Sequence, residues 1–243
     1  MSGTSGVSGV VSGGVCVVAG VGPGTGLACV ERFARQGYRV AMLARNEERL
    51  KEWAGKISNT QSFPCDLTDR ENVAATFSEI RGQLGPVNVL VYNATMGAFS
   101  EFMDLEPETL ERNFQTNTMG LLHCGQCAAA DMLVAGEGSI VVTGNTSARR
   151  GKALFAGFAP TKAAQRILAE SMARSLGPQG IHVSYLVIDA VIDLEWTRKR
   201  MPDATDDDFA KPADIAESVW YLAHQPRSTW TFETEIRPFA ENW

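Results

Sequence analysis

Long apolar runs are missing from this 243-residue chain, and with them any stretch able to span a bilayer as a helix. A basic excess is missing too. Against 28 Asp and Glu stand 22 Lys and Arg, for a formal charge of −6 and a pI near 5.2. Nucleic-acid surfaces need clustered cations, so that class of partner is not expected. One small anionic cofactor needs only a few placed groups and stays open. The opening residues, MSGTSGVSGVVSGG, lack the basic start and apolar core of a secretory signal. Cysteine is scarce and odd in number, at five, which suits free thiols in a reducing compartment, and the cytoplasm is the expected location. Cys124 and Cys127 form a C-x-x-C, but it falls mid-helix among apolar residues, where packing explains it better than redox or metal chemistry. No metal site is expected.

What the chain does have is alternation. Short apolar runs occupy 15–20, 38–44, 60–66, 87–94, 139–144, 181–189 and 231–238, and several are apolar on both faces. That pattern belongs to parallel strands covered by helices on both sides. Helical stretches fill the gaps. The first is expected from about Thr25 to a stop at Gly37. A second opens on a capping Asp69 and ends at Gly85-Pro86. A third runs from Pro107 unbroken through to Gly136, and a fourth follows Pro212. Repeated βα units without an internal linker predict one α/β domain with a doubly wound sheet. Residues 1–13, rich in Gly and Ser, are read as a flexible tail, and 14–243 as the folded domain.

After the first strand comes GVGPGTG, with Gly20, Gly22, Gly24 and Gly26. A glycine-rich turn between a strand and a helix brings backbone N–H groups and the positive helix end to a pyrophosphate. The context makes it a dinucleotide signature rather than a turn serving geometry alone. An NAD site offers a carboxylate at the end of the second strand. Here no acid lies between Val40 and Asn46; Arg45 stands there, and its planar fork of donors suits a 2′-phosphate. NADP(H) is therefore the expected cofactor. Asp66, past the third strand, reads either as an acceptor for the adenine amino group or as a helix-initiating residue.

Together with LVYNA, NFQTNTMG and TKAA, these residues resemble the short-chain dehydrogenase/reductase family over about residues 14 to 239. The resemblance implies a Rossmann-like, seven-stranded parallel sheet and an NADP(H)-dependent oxidoreductase. It also implies a homodimer or homotetramer built partly through the long helices. The family's glycines map onto Gly20, Gly24 and Gly26, and its motif after strand four survives in half as Asn93-Ala94. Thr25, Asn93, Lys162 and Val191 fall among the implied cofactor contacts. Of the family's catalytic Asn, Ser, Tyr and Lys, the Asn matches Asn117 and the Lys matches Lys162. The Ser position falls nearest Asn145, with Thr146 and Ser147 as neighbouring candidates. The Tyr position holds Phe158, so the proton donor is gone while the lysine, which also contacts the nicotinamide ribose in this family, is kept. Asp189 replaces part of a Pro-Gly pair after strand six and reads as a further acid–base candidate or as the cap of a following helix.

Two functions fit. One is an oxidoreductase with an atypical centre, in which water held by Asn117 and Lys162 donates the proton. The other is a catalytically silent NADP(H)-binding sensor or scaffold. The segment 194–212 lies where the family places a substrate loop. Its basic residues 198–200 and acidic residues 206–208 are read as solvated faces. Trp196, Met201 and Phe209 are candidates for an apolar pocket lining.

Overall fold

β-branched and aliphatic residues at successive positions form the sheet strands, because side chains of period two fill two cores at once. In β1 (Val15–Ala19), Val15, Val17 and Ala19 enter one core while Cys16 and Val18 enter the other. The computed structural model describes residues 13–240, so the expectation for positions 1–12 of the tail lies outside the described residues. After β1 come α1 (Thr25–Arg35), β2 (Arg39–Ala44), α2 (Glu47–Ala54), β3 (Thr60–Pro64), α3 (Arg70–Gln83) and β4 (Val87–Tyr92). The second half contains α4 (Pro107–Phe114), α5 (Gly120–Ala135), β5 (Gly138–Asn145), α6 (Ala159–Leu176) and β6 (Ile181–Ile188). It ends with β7 (Val191–Ile192), α7 (Glu195–Arg200), β8 (Phe209–Ala210), α8 (Pro212–Ala223) and β9 (Glu233–Ile236).

Seven strands form one sheet in the order β3-β2-β1-β4-β5-β6-β9, every neighbouring pair parallel. This is the Rossmann-like, doubly wound α/β domain expected. Helices α1, α2 and α8 bury Phe33, Leu50 and Val219 on one face. On the other, α3, α5 and α6 bury Phe77, Leu121 and Ala169. The order reverses between β1 and β4, which opens a crevice at their carboxyl ends, where ligands bind in such sheets. Turn chemistry follows the sequence. Asp69 caps α3 by accepting from the N–H groups of Glu71 and Asn72, while Gly37 and Gly85 take φ of +85° and +105°.

The helix expected unbroken from Pro107 is interrupted by a π turn at Gln115–Met119. Two side chains from elsewhere take its carbonyls. The Tyr92 hydroxyl donates to Thr116 O at 2.5 Å, and Gln165 Nε2 donates to Asn117 O at 2.6 Å. Those carbonyls would otherwise accept from the next helical turn, so the ladder widens there. The π turn places Asn117 facing the loop after β4. The β7–β8 pair was not anticipated either, since two residues per strand leave no periodicity to read. Among the described residues no helix is long and apolar enough to cross a membrane.

Candidate active site

A cavity of about 440 Å³ lies in the crevice, lined by Gly20 to Gly26, Ala44, Arg45, Asp66, Asn93 and Thr116 among others. The four glycines differ in what they do. At Gly20 φ is +92° and a Cβ would stand 2.4 Å from the Ala94 backbone, so only glycine fits. A Cβ on Gly26 would meet Gly20 O at 2.7 Å, and one on Gly24 would meet Leu194 Cδ2 at 2.9 Å. At Gly22 it would meet nothing within 4 Å. Gly20 and Gly26 face backbone and are glycines for the fold, Gly24 faces only the end of the Leu194 side chain, and Gly22 faces open space. Thr25 begins α1, whose first turn no side chain caps, and its buried hydroxyl has no hydrogen-bond partner among the described residues. An anionic oxygen satisfies both the orphaned hydroxyl and the positive helix end, so the residues present fit a pyrophosphate.

At the other end of the cavity stands Arg45, exposed and without a hydrogen bond or ion pair among the described residues. It also lines a neighbouring recess of about 240 Å³ with Asn46, Arg49 and Trp53. Asn46 caps α2 by accepting from Arg49 N at 2.9 Å, which sets two guanidiniums at one recess. Asp66 accepts from Thr68 N and Oγ1 at 3.0 and 2.8 Å. The Thr68 donors, with Arg45 nearby, hold its carboxyl below the ordinary range. Helix initiation belongs to Asp69 three residues on, so that alternative for Asp66 is corrected.

Asn93 ties three strand ends together. Its Nδ2 donates to Gly20 O at 2.9 Å, and its Oδ1 accepts from Thr143 Oγ1 at 3.0 Å. Asn117 is wholly buried and its carboxamide is fully engaged. Oδ1 accepts from Met96 N, while Nδ2 donates to Met96 O and to Thr161 Oγ1, each at 2.8 Å. The side chain therefore brackets the β4 loop against the start of α6. Asn145 closes β5 and accepts from Ser147 N through Oδ1 at 3.1 Å, leaving its amide N–H groups without a partner among the described residues.

Lys162 is 1% exposed, and burial pulls its amine down from 10.5 to about 7. Its Nζ donates to Thr143 O at 3.2 Å and to Gln165 Oε1 at 2.5 Å. The Gln165 carboxamide links the two directly, accepting from Lys162 Nζ and donating to the Asn117 backbone carbonyl. Phe158 is 6% exposed and packs its ring against Phe99 and Phe155, with centroids 5.9 and 6.3 Å away. Lys152 Nζ stands 5.8 Å from the Phe155 ring centroid at the edge of this aromatic cluster.

Residues 194–206 are held by local hydrogen bonds and ion pairs. Thr197 Oγ1 accepts from Leu194 N at 2.9 Å, and Arg198 pairs with Asp193 at 2.5 Å and with Asp206 at 2.8 Å. Both runs are largely solvent-exposed, as expected of solvated faces, and the Arg198–Asp206 pair joins one run to the other. Trp196 lines the main cavity, Phe209 is buried against β7, and Met201 is exposed. Val191 pairs with Phe209 in the small ladder, while Ile192 and Leu194 are the residues of this strand region that reach the cavity. Asp189 caps no helix; its carboxylate stands 3.9 Å from Arg150. Among the described residues no cluster of three His, Cys, Asp or Glu side chains stands ready to hold a metal. Cys124 is buried and Cys127 half-buried in α5, and burial raises both thiols.

Sequence reasoning missed Arg49, Gln165, Thr161 and Leu194. Spacing held the signal for one of them, since Gln165 lies three residues after Lys162 on one face of α6.

Comparison with known proteins agrees with this architecture. The family model described as short chain dehydrogenase matches residues 14–200. A mouse 3-oxoacyl-[acyl-carrier-protein] reductase is 30% identical over 224 residues, covering 88% of this chain and 93% of its own. A short-chain dehydrogenase from Rhodopseudomonas palustris superposes with a TM-score of 0.81 at 28% identity, covering 93% of this chain and 99% of its own. An alcohol dehydrogenase from the archaeon Thermococcus sibiricus, complexed with 5-hydroxy-NADP, gives 0.84 at 25% identity, covering 94% and 98%.

The depressed amine of Lys162 has a consequence for stability. Between about pH 7 and 10.5 the unfolded chain holds a proton at this position that the folded chain has lost, so folding gains as pH rises through that window. Below it, the full cost of burying an ammonium remains. Lys162→Met removes this dependence. The unfolding free energy of native protein relative to Lys162→Met should therefore improve by roughly 2 kcal/mol between pH 6.5 and pH 9, read from urea titrations at each pH. A pH-independent difference contradicts the buried, titrating amine.

Proposed function

Because the chain belongs to the short-chain dehydrogenase/reductase family, we propose that it is an NADP(H)-dependent oxidoreductase whose centre works without a tyrosine. One observation carries the reading: a single cavity joins the glycine turn, with its orphaned Thr25 hydroxyl and open Gly22, to the free guanidinium of Arg45. The turn and the α1 N-terminus take the pyrophosphate, Arg45 and Arg49 take the 2′-phosphate, and Asp66 accepts from the adenine. When bound, the dinucleotide supplies or accepts a hydride at its nicotinamide ring. Asn93 and Asn117 hold the turn, the β4 loop and α6 in register around that position. In its ammonium form Lys162 has one N–H left over from Thr143 O and Gln165 Oε1, and offers it to the ribose. Asn145 points its unpartnered amide toward an oxyanion, with Thr146 and Ser147 beside it. Phe158 gives the substrate an apolar wall, and the proton comes from solvent at the mouth of the cavity. The mouse relative's name describes an oxo-group reductase, which supports carbonyl reduction as the reaction class.

Exposed Leu133 and Val134 on α5 and Ile167 on α6 support a homodimer or homotetramer paired through the long helices. Five free thiols, most of them buried, suit the cytoplasm. The second reading, an NADP(H) sensor or scaffold without turnover, is favoured by one observation: Phe158 packs into an aromatic trio and puts no acid at the centre.

Isothermal titration tests the cofactor. NADPH should bind at least about tenfold more tightly than NADH, and Arg45→Asp should reverse the preference. Equal affinities contradict the assignment of Arg45. Turnover tests the chemistry. Against a panel of aldehydes, ketones, imines and enones, Phe158→Tyr should raise carbonyl reduction by about tenfold or more, since a placed general acid contributes on the order of 10²–10⁴. A native protein faster on ordinary ketones than the variant sinks the missing-acid account. Tight NADPH binding with no turnover on any panel member selects the sensor.

A further inference from the structure

One buried polar side chain is not used by the cofactor reading. Gln165 lies on α6 almost one turn after Lys162 and is fully buried. Its Nε2 donates to Asn117 O at 2.6 Å, and its Oε1 accepts from Lys162 Nζ at 2.5 Å. The Tyr185 hydroxyl on β6 approaches the same oxygen at 3.4 Å. Lys162 has three donors, and Thr143 O takes a second one at 3.2 Å. One N–H is left without an acceptor among the described residues.

We propose that Gln165 is the positioning residue of the Lys162 ammonium: it bridges Asn117 to Lys162 where a water would otherwise fit, fixes the direction of the amine and leaves one donor for the cofactor ribose. The proposal rests on the reading of the cavity as a dinucleotide site. Glutamine differs from water in what it transmits. Water accepts and donates through one atom and hands a proton along. A carboxamide has its donor on nitrogen and its acceptor on oxygen, so it carries hydrogen bonds but relays no proton. Lys162 is thereby anchored and closed to proton exchange from the Asn117 side, which agrees with a centre whose aromatic neighbour, Phe158, takes up no proton.

The groups around the amine make this testable. Only neutral acceptors, Gln165 Oε1 and Thr143 O, oppose the burial that lowers Lys162. Tyr185 is the titratable group facing it from β6. Glu233 on β9, Arg166 on α6 and Arg149 beyond β5 act on the Tyr185 hydroxyl rather than on the amine.

The experiment follows the Lys162 εCH2 resonance of the full chain by carbon-13 NMR across pH. The signal is assigned by its loss in Lys162→Met, and Gln165→Glu, Gln165→Leu and Gln165→Met are compared with native protein. A carboxylate facing the amine should raise the midpoint by about one pH unit or more, and either apolar variant should lower it by about half a unit. Gln165→Met keeps the side chain's length, so the series survives if Gln165→Leu fails to fold. At pH 6, NADPH affinity should fall about tenfold in the apolar variants and be retained in Gln165→Glu. Unmoved midpoints, or an apolar variant that binds NADPH as native protein does, overturn the proposal. Should native protein bind no NADPH, the cofactor reading fails, and the resonance series alone decides whether Gln165 holds the amine.

Discussion

Gly20 and Ala94 lie backbone against backbone, and no side chain fits between them. With φ at +92° and a hypothetical Cβ 2.4 Å from Ala94, only glycine lets the end of β1 meet the end of β4. Asn93 locks the junction by donating to Gly20 O and accepting from Thr143 Oγ1, which ties β5 to the same point. β1 and β4 are the strands between which the sheet order reverses. The crevice therefore opens where the ends of β1 and β4 are fixed to each other and to β5.

Around that fixed point the two halves of the site differ in character. The half lined by Gly22, Thr25 and Arg45 has open space, an orphaned hydroxyl and a guanidinium without an ion pair among the described residues, features that suit an anion. The half built on Asn117, Thr161, Lys162 and Gln165 is internally satisfied. Burial of a lysine without a carboxylate partner is expensive, and carbonyl and carboxamide acceptors offset part of that cost. Such a lysine persists for what its remaining N–H does, and a phenylalanine four residues earlier gives it no proton to tune.

Much of this was legible in the sequence because it depends on local chemistry. Strand periodicity, the Asp69 cap and the left-handed glycines at 37 and 85 are set by neighbouring residues, and each stands within a residue or two of its expected place. The π turn was not legible, because its causes, Tyr92 and Gln165, lie on a different strand and a different helix. Gly22 looked like its neighbours in the motif, yet it alone among them has no packing duty.

That last distinction separates binding from folding. Gly22→Val adds a side chain where a Cβ meets nothing within 4 Å, in the turn proposed to hold the pyrophosphate. Its melting temperature should stay within about 2 °C of native protein, while its NADPH affinity by isothermal titration should fall by about a hundredfold. A variant that folds normally and binds NADPH as tightly as native protein would contradict the claim that this turn holds a phosphorylated dinucleotide.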